Sequence, residues 1–141
     1  RDRDVTGVQT CALPIWLKRG FPASLDNAPA LLPTENTPFR RALESWFQSQ
    51  SIRPRVVAEF EDLALMKVMA SEGRGFIAVP AAAAREAVER YGFREVGRTE
   101  ECRIRLHAIT AERRIAHPAV TALTLNARRK LAAPPPALRS R

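Results

Sequence analysis

Three short apolar runs, each halted by proline or acidic residues and each followed by a stretch of helical periodicity, constrain this chain more than any other feature. Ala30-Leu31-Leu32 ends at Pro33, Arg55–Phe60 runs into Glu61 and Asp62, and Phe76–Val79 ends at Pro80. The first and third suit buried strands, and Arg55–Phe60, with charged Arg55 and Glu59 and two β-branched valines, reads as a strand. Strands alternating with helices of about ten residues point to an α/β domain with a mostly parallel sheet.

The intervening segments supply the helices. Thr37 is a good N-cap with Pro38 at the first helical position, and the helix runs to about Gln50. Phe39, Ala42, Leu43, Trp46 and Phe47 form one apolar stripe, with Arg40, Arg41 and Glu44 off it. Pro54 forbids continuation. Asp62 caps a second helix, Leu63–Glu72, with Leu65, Met66 and Met69 on its inner face and Gly73 and Gly75 ending it. A third, Ala82–Tyr91, carries Arg85/Glu89 and Glu86/Arg90 pairs and ends at Gly92. From Phe93 the period becomes two. A short strand at Arg94–Val96 precedes one in which Cys102, Ile104, Leu106 and Ala108 alternate with Arg103, Arg105 and His107. Pro118 opens a last helix with Val120, Leu123, Ala127 and Leu131 inside and Arg128-Arg129-Lys130 at its negative end. The proline-rich stretch 132–141 reads as a disordered tail. The expected order is β-α-β-α-β-α-β-β-α.

Charge and cysteine usage narrow the function classes. The chain has 141 residues and a net charge of +8. Residues 1–70 hold 9 Lys and Arg against 8 Asp and Glu, whereas residues 71–141 hold 14 against 7. A basic half attracts anionic partners, a statement about association rather than fold. Two cysteines make no disulfide framework, so a reducing, cytoplasmic setting is expected. No window approaches a membrane span, and RDRD at the start is not followed by the apolar core of a secretory signal. His107 and His117 lack a metal-ligating partner at useful spacing, and no phosphate loop or nucleophile motif occurs, so no enzyme and no cofactor are expected.

Two clusters carry binding chemistry. Thr34-Glu35-Asn36-Thr37 puts hydroxyls, an amide and a helix N-terminus at a strand end, where free N–H groups favour an anion or carboxylate; capping alone also accounts for Thr37. Glu59, Glu61 and Asp62 are hard oxygen donors suited to a cation, with Glu35 within reach. Protonation would compete with cation binding there, which makes a joint sodium and pH response available. Against this, Asp62 can simply cap its helix and Glu59 can be solvated.

The first fifteen residues stand apart. Val5–Ile15, VTGVQTCALPI, matches codon by codon the translation of a short-read sequencing adapter, and the stretch shows neither helical nor alternating periodicity. Residues 1–15 are therefore expected to be foreign and unstructured, with Trp16–Arg141 the readable part of a longer protein.

The run LLPTENTPFRRALESWFQSQSIRPRVVAEFEDLALMKVMASEGRGFIAVP resembles the effector-binding domain of LysR-type transcriptional regulators. The resemblance rests on Pro38, Arg40-Arg41, Leu43, Trp46-Phe47, Ile52–Val56, Gly73, Gly75 and Val79-Pro80, and extends over about Phe21–Lys130. FPASLDNAPALLPTEN and EFEDLALMK are similar to the NhaR-type activators of sodium/proton antiporter genes. The resemblance implies a periplasmic-binding-protein-like domain of two α/β lobes with an effector, a small molecule or an ion such as sodium, in the cleft between them. Residues 30–110 would form the second lobe, nearly complete. Residues 16–29 and 111–131 would be a connector and a returning segment of a first lobe that is largely missing. It also implies effector contact by Thr34–Thr37, Glu61 and Asp62, a homo-oligomeric parent, and DNA contact only through an N-terminal domain absent here. Two other readings stay open: a fragment of a solute-binding protein for transport, and a small basic nucleic-acid-associated protein.

Overall fold

The computed structural model describes residues 3–5, 8–12, 15–106 and 118–132. Among the described residues seven strands are present: β1 (Arg3–Val5), β2 (Val8–Ala12), β3 (Pro29–Pro33), β4 (Arg55–Phe60), β5 (Ile77–Pro80), β6 (Arg94–Thr99) and β7 (Ile104–Leu106). Four helices join them: α1 (Pro38–Ser49), α2 (Leu63–Ser71), α3 (Ala81–Tyr91) and α4 (Pro118–Ala132). Short 3-10 turns occupy Ile15–Lys18 and Ala23–Leu25.

Strand β3 lies at the centre of the parallel part. It pairs parallel with β4 and bridges β5 in parallel at Ala30 and Phe76. Beyond β5 the sense reverses, because β2 runs antiparallel between β5 and β6. β1 pairs antiparallel with β7. The sheet is thus mixed rather than mostly parallel. The three βα units set the parallel strands, and β2, which enters without a helical crossover, is free to run the other way.

Strand alternation divides the core. Ala30, Leu32, Phe76 and Ala78 face α1, where they meet Phe39, Leu43, Trp46 and Phe47. Leu31, Ile77 and Val79 face the other way, onto Met66 and Ala70 of α2 and Ala84 and Ala87 of α3. Both faces are covered, which is why these strands read as continuous apolar runs.

Several expectations are corrected. The stretch expected to be unstructured supplies β1 and β2, and Thr10 is buried between its register partners Ala78 and Gly97. Backbone pairing on two edges holds an extended segment there without any apolar alternation in its sequence. Residues 16–29 pack onto the rest of the domain, with Leu17, Leu25 and Ala28 buried in the same core as α1. Leu65 is exposed while Met66 is buried and Met69 half-buried, so the inner face of α2 is rotated from the expected one. Leu123 faces outward and Val120 is only half-buried, because no described element covers that side of α4. The strand expected to start at Cys102 begins at Ile104, after a bend, and Ala108, His107 and His117 lie outside the described residues.

At Gly75, just before β5, the backbone runs close to the start of β3. A Cβ there would sit 2.7 Å from the Pro29 carbonyl oxygen. That oxygen accepts the Phe76 N–H at 2.8 Å, so the backbone cannot yield without loss of the β3–β5 bridge. Gly75→Ala is expected to cost about 2 kcal/mol, measured as a drop in urea midpoint. A cost below about 0.5 kcal/mol would show that the two strands can part freely there.

Candidate functional site

Ligands of α/β sheets sit where parallel strands end and helices begin. In this chain β3 and β4 end side by side, with Leu32 opposite Glu59 and Pro33 opposite Phe60. The Thr34 N–H donates to the Phe60 carbonyl at 3.0 Å, so the segment entering α1 is tied to the segment entering α2.

Thr37 caps α1 as its sequence suggests. Its hydroxyl oxygen accepts the Arg40 N–H at 3.1 Å, and its O–H donates to the Thr34 carbonyl at 3.1 Å. Glu35 and Asn36 are exposed at the tip of this turn. Asp62 caps α2, its Oδ1 accepting the Ala64 N–H at 2.7 Å and the Leu65 N–H at 3.4 Å. Glu61 is exposed beside it. The two loops therefore meet at one sheet edge, each at a helix N-terminus, where the dipole and uncommitted N–H groups favour anionic partners.

The acidic trio is not gathered as a unit. Glu59 turns away to Arg40, whose Nη1 donates to its Oε1 at 2.7 Å. Asp62 is occupied by its cap. Among the described residues no group of three His, Cys, Asp or Glu side chains comes together in a form that could hold a metal ion.

Arg40 lies off the apolar stripe of α1, yet it is only 5% exposed. Its Nη1 donates to the Pro33 carbonyl at 2.7 Å as well as to Glu59, and its Nε donates to Glu44 at 2.8 Å. Burial works against the guanidinium charge, but the hydrogen bonds to Glu59 and Glu44 outweigh it, so the pKa stays above the ordinary arginine value. The i,i+4 partner of Arg40, Glu44, is visible in the sequence, but such a pair marks a helix face and does not announce burial. A groove of about 710 Å³ runs from Arg40 along α1 and β4 toward Arg53, floored by Leu32, Phe47 and Ile52. None of Thr34–Thr37, Glu61 or Asp62 lines it.

With this geometry in place, the family model of the LysR substrate binding domain matches residues 17–132. The chain belongs to the LysR substrate-binding-domain family. It is 33% identical over 115 residues to the transcriptional activator protein NhaR of Escherichia coli (strain K12), a match that covers 78% of this chain and 38% of that protein. The NhaR of Shigella flexneri matches to the same extent. The chain thus spans well under half the length of these relatives. Among solved structures, the bromide-bound regulatory domain of HypT from Salmonella typhimurium superposes with a TM-score of 0.58 at 11% identity, over 94% of this chain and 65% of that one. The regulatory domain of CcmR from Synechocystis PCC6803, in complex with 2-PG, gives 0.53 at 13% identity, over 68% and 49%. These likenesses show a fold shared with LysR regulatory domains. The named relatives are transcriptional regulators rather than enzymes, and no helix among the described residues is long and apolar enough to cross a membrane.

Proposed function

We propose that this LysR domain senses a small-molecule or ion effector for a transcriptional regulator, and that Thr34, Glu35, Asn36, Thr37, Glu61 and Asp62 form its side of the effector cleft. The observation that carries the reading is the joining of the two loops, by the Thr34 N–H to Phe60 carbonyl bond, at the edge where β3 and β4 end. Family membership and the similarity to NhaR support a regulator over a transport protein. In the parent protein, a homo-oligomer on this reading, DNA contact belongs to a domain outside this chain. The family match begins at residue 17, so residues 1–15 lie outside the matched domain even though residues 8–12 fill a strand position between β5 and β6.

Among ions, sodium is the effector the exposed Glu61 carboxylate suits, although the neighbouring helix N-termini themselves favour anions. Glu61, exposed and uncommitted to a cap, is the donor of choice, and a carboxylate that binds a cation binds it less well as protons compete. In the full-length regulator, Glu61→Ala should raise the NaCl midpoint of reporter expression about tenfold, with choline chloride as the control salt. Operator affinity in sodium-free buffer should stay as it is. An unaltered NaCl response would remove Glu61 from the site.

A further inference from the structure

The deepest-buried charged group near the candidate loops belongs to neither of them. Arg40 sits in the first turn of α1, and its guanidinium reaches three acceptors at once: the Pro33 carbonyl at the end of β3, the Glu59 carboxylate near the end of β4, and Glu44 one turn along its own helix. Pro33 immediately precedes the 34–37 turn, and Glu59 is separated from the 61–62 turn by Phe60 alone. The Arg40 backbone N–H also meets the Thr37 cap, so the same residue closes the 34–37 turn from both ends.

We propose that Arg40 is the positioning residue of the effector loops, its planar fork fastening both strand ends to α1 so that the two turns keep one fixed spacing. The proposal rests on the reading that these turns meet the effector. Arginine suits the task because its donors point in fixed directions within one plane, whereas a lysine ammonium is a point donor on a flexible stem. Glu59 and Glu44 remain partly exposed, 38% and 50%, so loss of Arg40 would free them to water rather than strand a buried charge. The Pro33 carbonyl has no such exit, since that contact is buried. Removing the side chain should therefore loosen the turns more than it destabilises the domain.

The test is amide hydrogen exchange on the whole chain, read in peptides covering 33–41 and 57–65, with 76–79 reporting the core. In sodium-free choline chloride, Arg40→Met should speed exchange about tenfold in both loop peptides and leave 76–79 unchanged. Glu59→Gln should speed only the 57–65 peptide, because the Pro33 contact survives. Arg40→Lys should fall between wild type and Arg40→Met, and Arg41→Met, at an exposed neighbour, should do nothing. Acceleration of one loop alone by Arg40→Met, or equal acceleration in 76–79, would overturn the proposal, and so would an effect of Glu59→Gln on 33–41. Repeating the wild-type measurement in NaCl separates the two claims. Sodium-dependent protection of the loops supports the effector reading, whereas its absence removes sodium and leaves the sodium-free comparison to decide the role of Arg40.

Discussion

Replacing Phe76 by alanine should cost about 4 kcal/mol of stability, the largest loss expected from a single core truncation here. Phe76 is 1% exposed and meets Phe47 edge-on, with ring centroids 6.4 Å apart. Its backbone is the link between the parallel strands: its N–H donates to Pro29 at 2.8 Å and its carbonyl accepts from Leu31 at 2.9 Å. The side chain is thus fixed from behind and cannot follow the collapse of a cavity, the situation in which truncation costs most. Thermal unfolding should shift down by on the order of 10 °C or more, with the denaturant slope unchanged. Val57→Ala makes the contrast, since Val57 is 46% exposed on β4 and its loss should fall within about 0.5 kcal/mol. Similar costs at the two positions would mean that the core is not organised around the β3–β5 link.

Stability should also fall as pH rises from about 9 to 11, and Cys102 should account for much of that fall. The thiol is 1% exposed, and burial pushes its pKa up to about 11 from an ordinary value of 9.0. Over that interval the unfolded chain releases the thiol proton while the folded chain keeps it. The folded state then binds more protons, so unfolding becomes easier as pH rises. The contribution is fully present below pH 9 and lost above 11, and two pKa units correspond to about 3 kcal/mol. Urea midpoints for the wild type and Cys102→Ala between pH 8 and 11 isolate it, because lysine and tyrosine titrations are common to both. Parallel curves would show that the folded chain lets the thiolate form. The same burial makes this thiol a poor nucleophile.

The βα units were legible because each is written locally. Caps at Thr37 and Asp62, the stripe from Phe39 to Phe47 and the glycine after Tyr91 set their own helices within a few residues. The loops proposed as the site could be placed for the same reason, since a strand end followed by a cap fixes where a turn falls. What escaped depends on partners distant in sequence. Arg40 is apolar-face neighbour to nothing in its own helix pattern, and only the parallel register that puts Glu59 beside Leu32 reveals why it is buried. Likewise Val56 and Val57 look like core by composition, yet β4 lies at the edge of the sheet and its valines stay exposed. Residues 8–12 show the limit of periodicity most plainly. Their strand is imposed by the two neighbours that bracket it, which no pattern within the segment could announce.

That bracketing has a practical side. With β2 withdrawn, β5 and β6 would stand about 10 Å apart, two strand spacings, too far to bond each other and each showing an open row of backbone donors and acceptors. Such a slot selects an extended backbone rather than particular side chains. A shortened chain beginning after Ala12 would offer it to any neighbouring molecule able to lend a strand. Trimming an aperiodic leader is an ordinary step toward a better-behaved sample; for this domain it would invite strand exchange and precipitation, and a supplied strand, covalently attached or added as a peptide, would be the remedy.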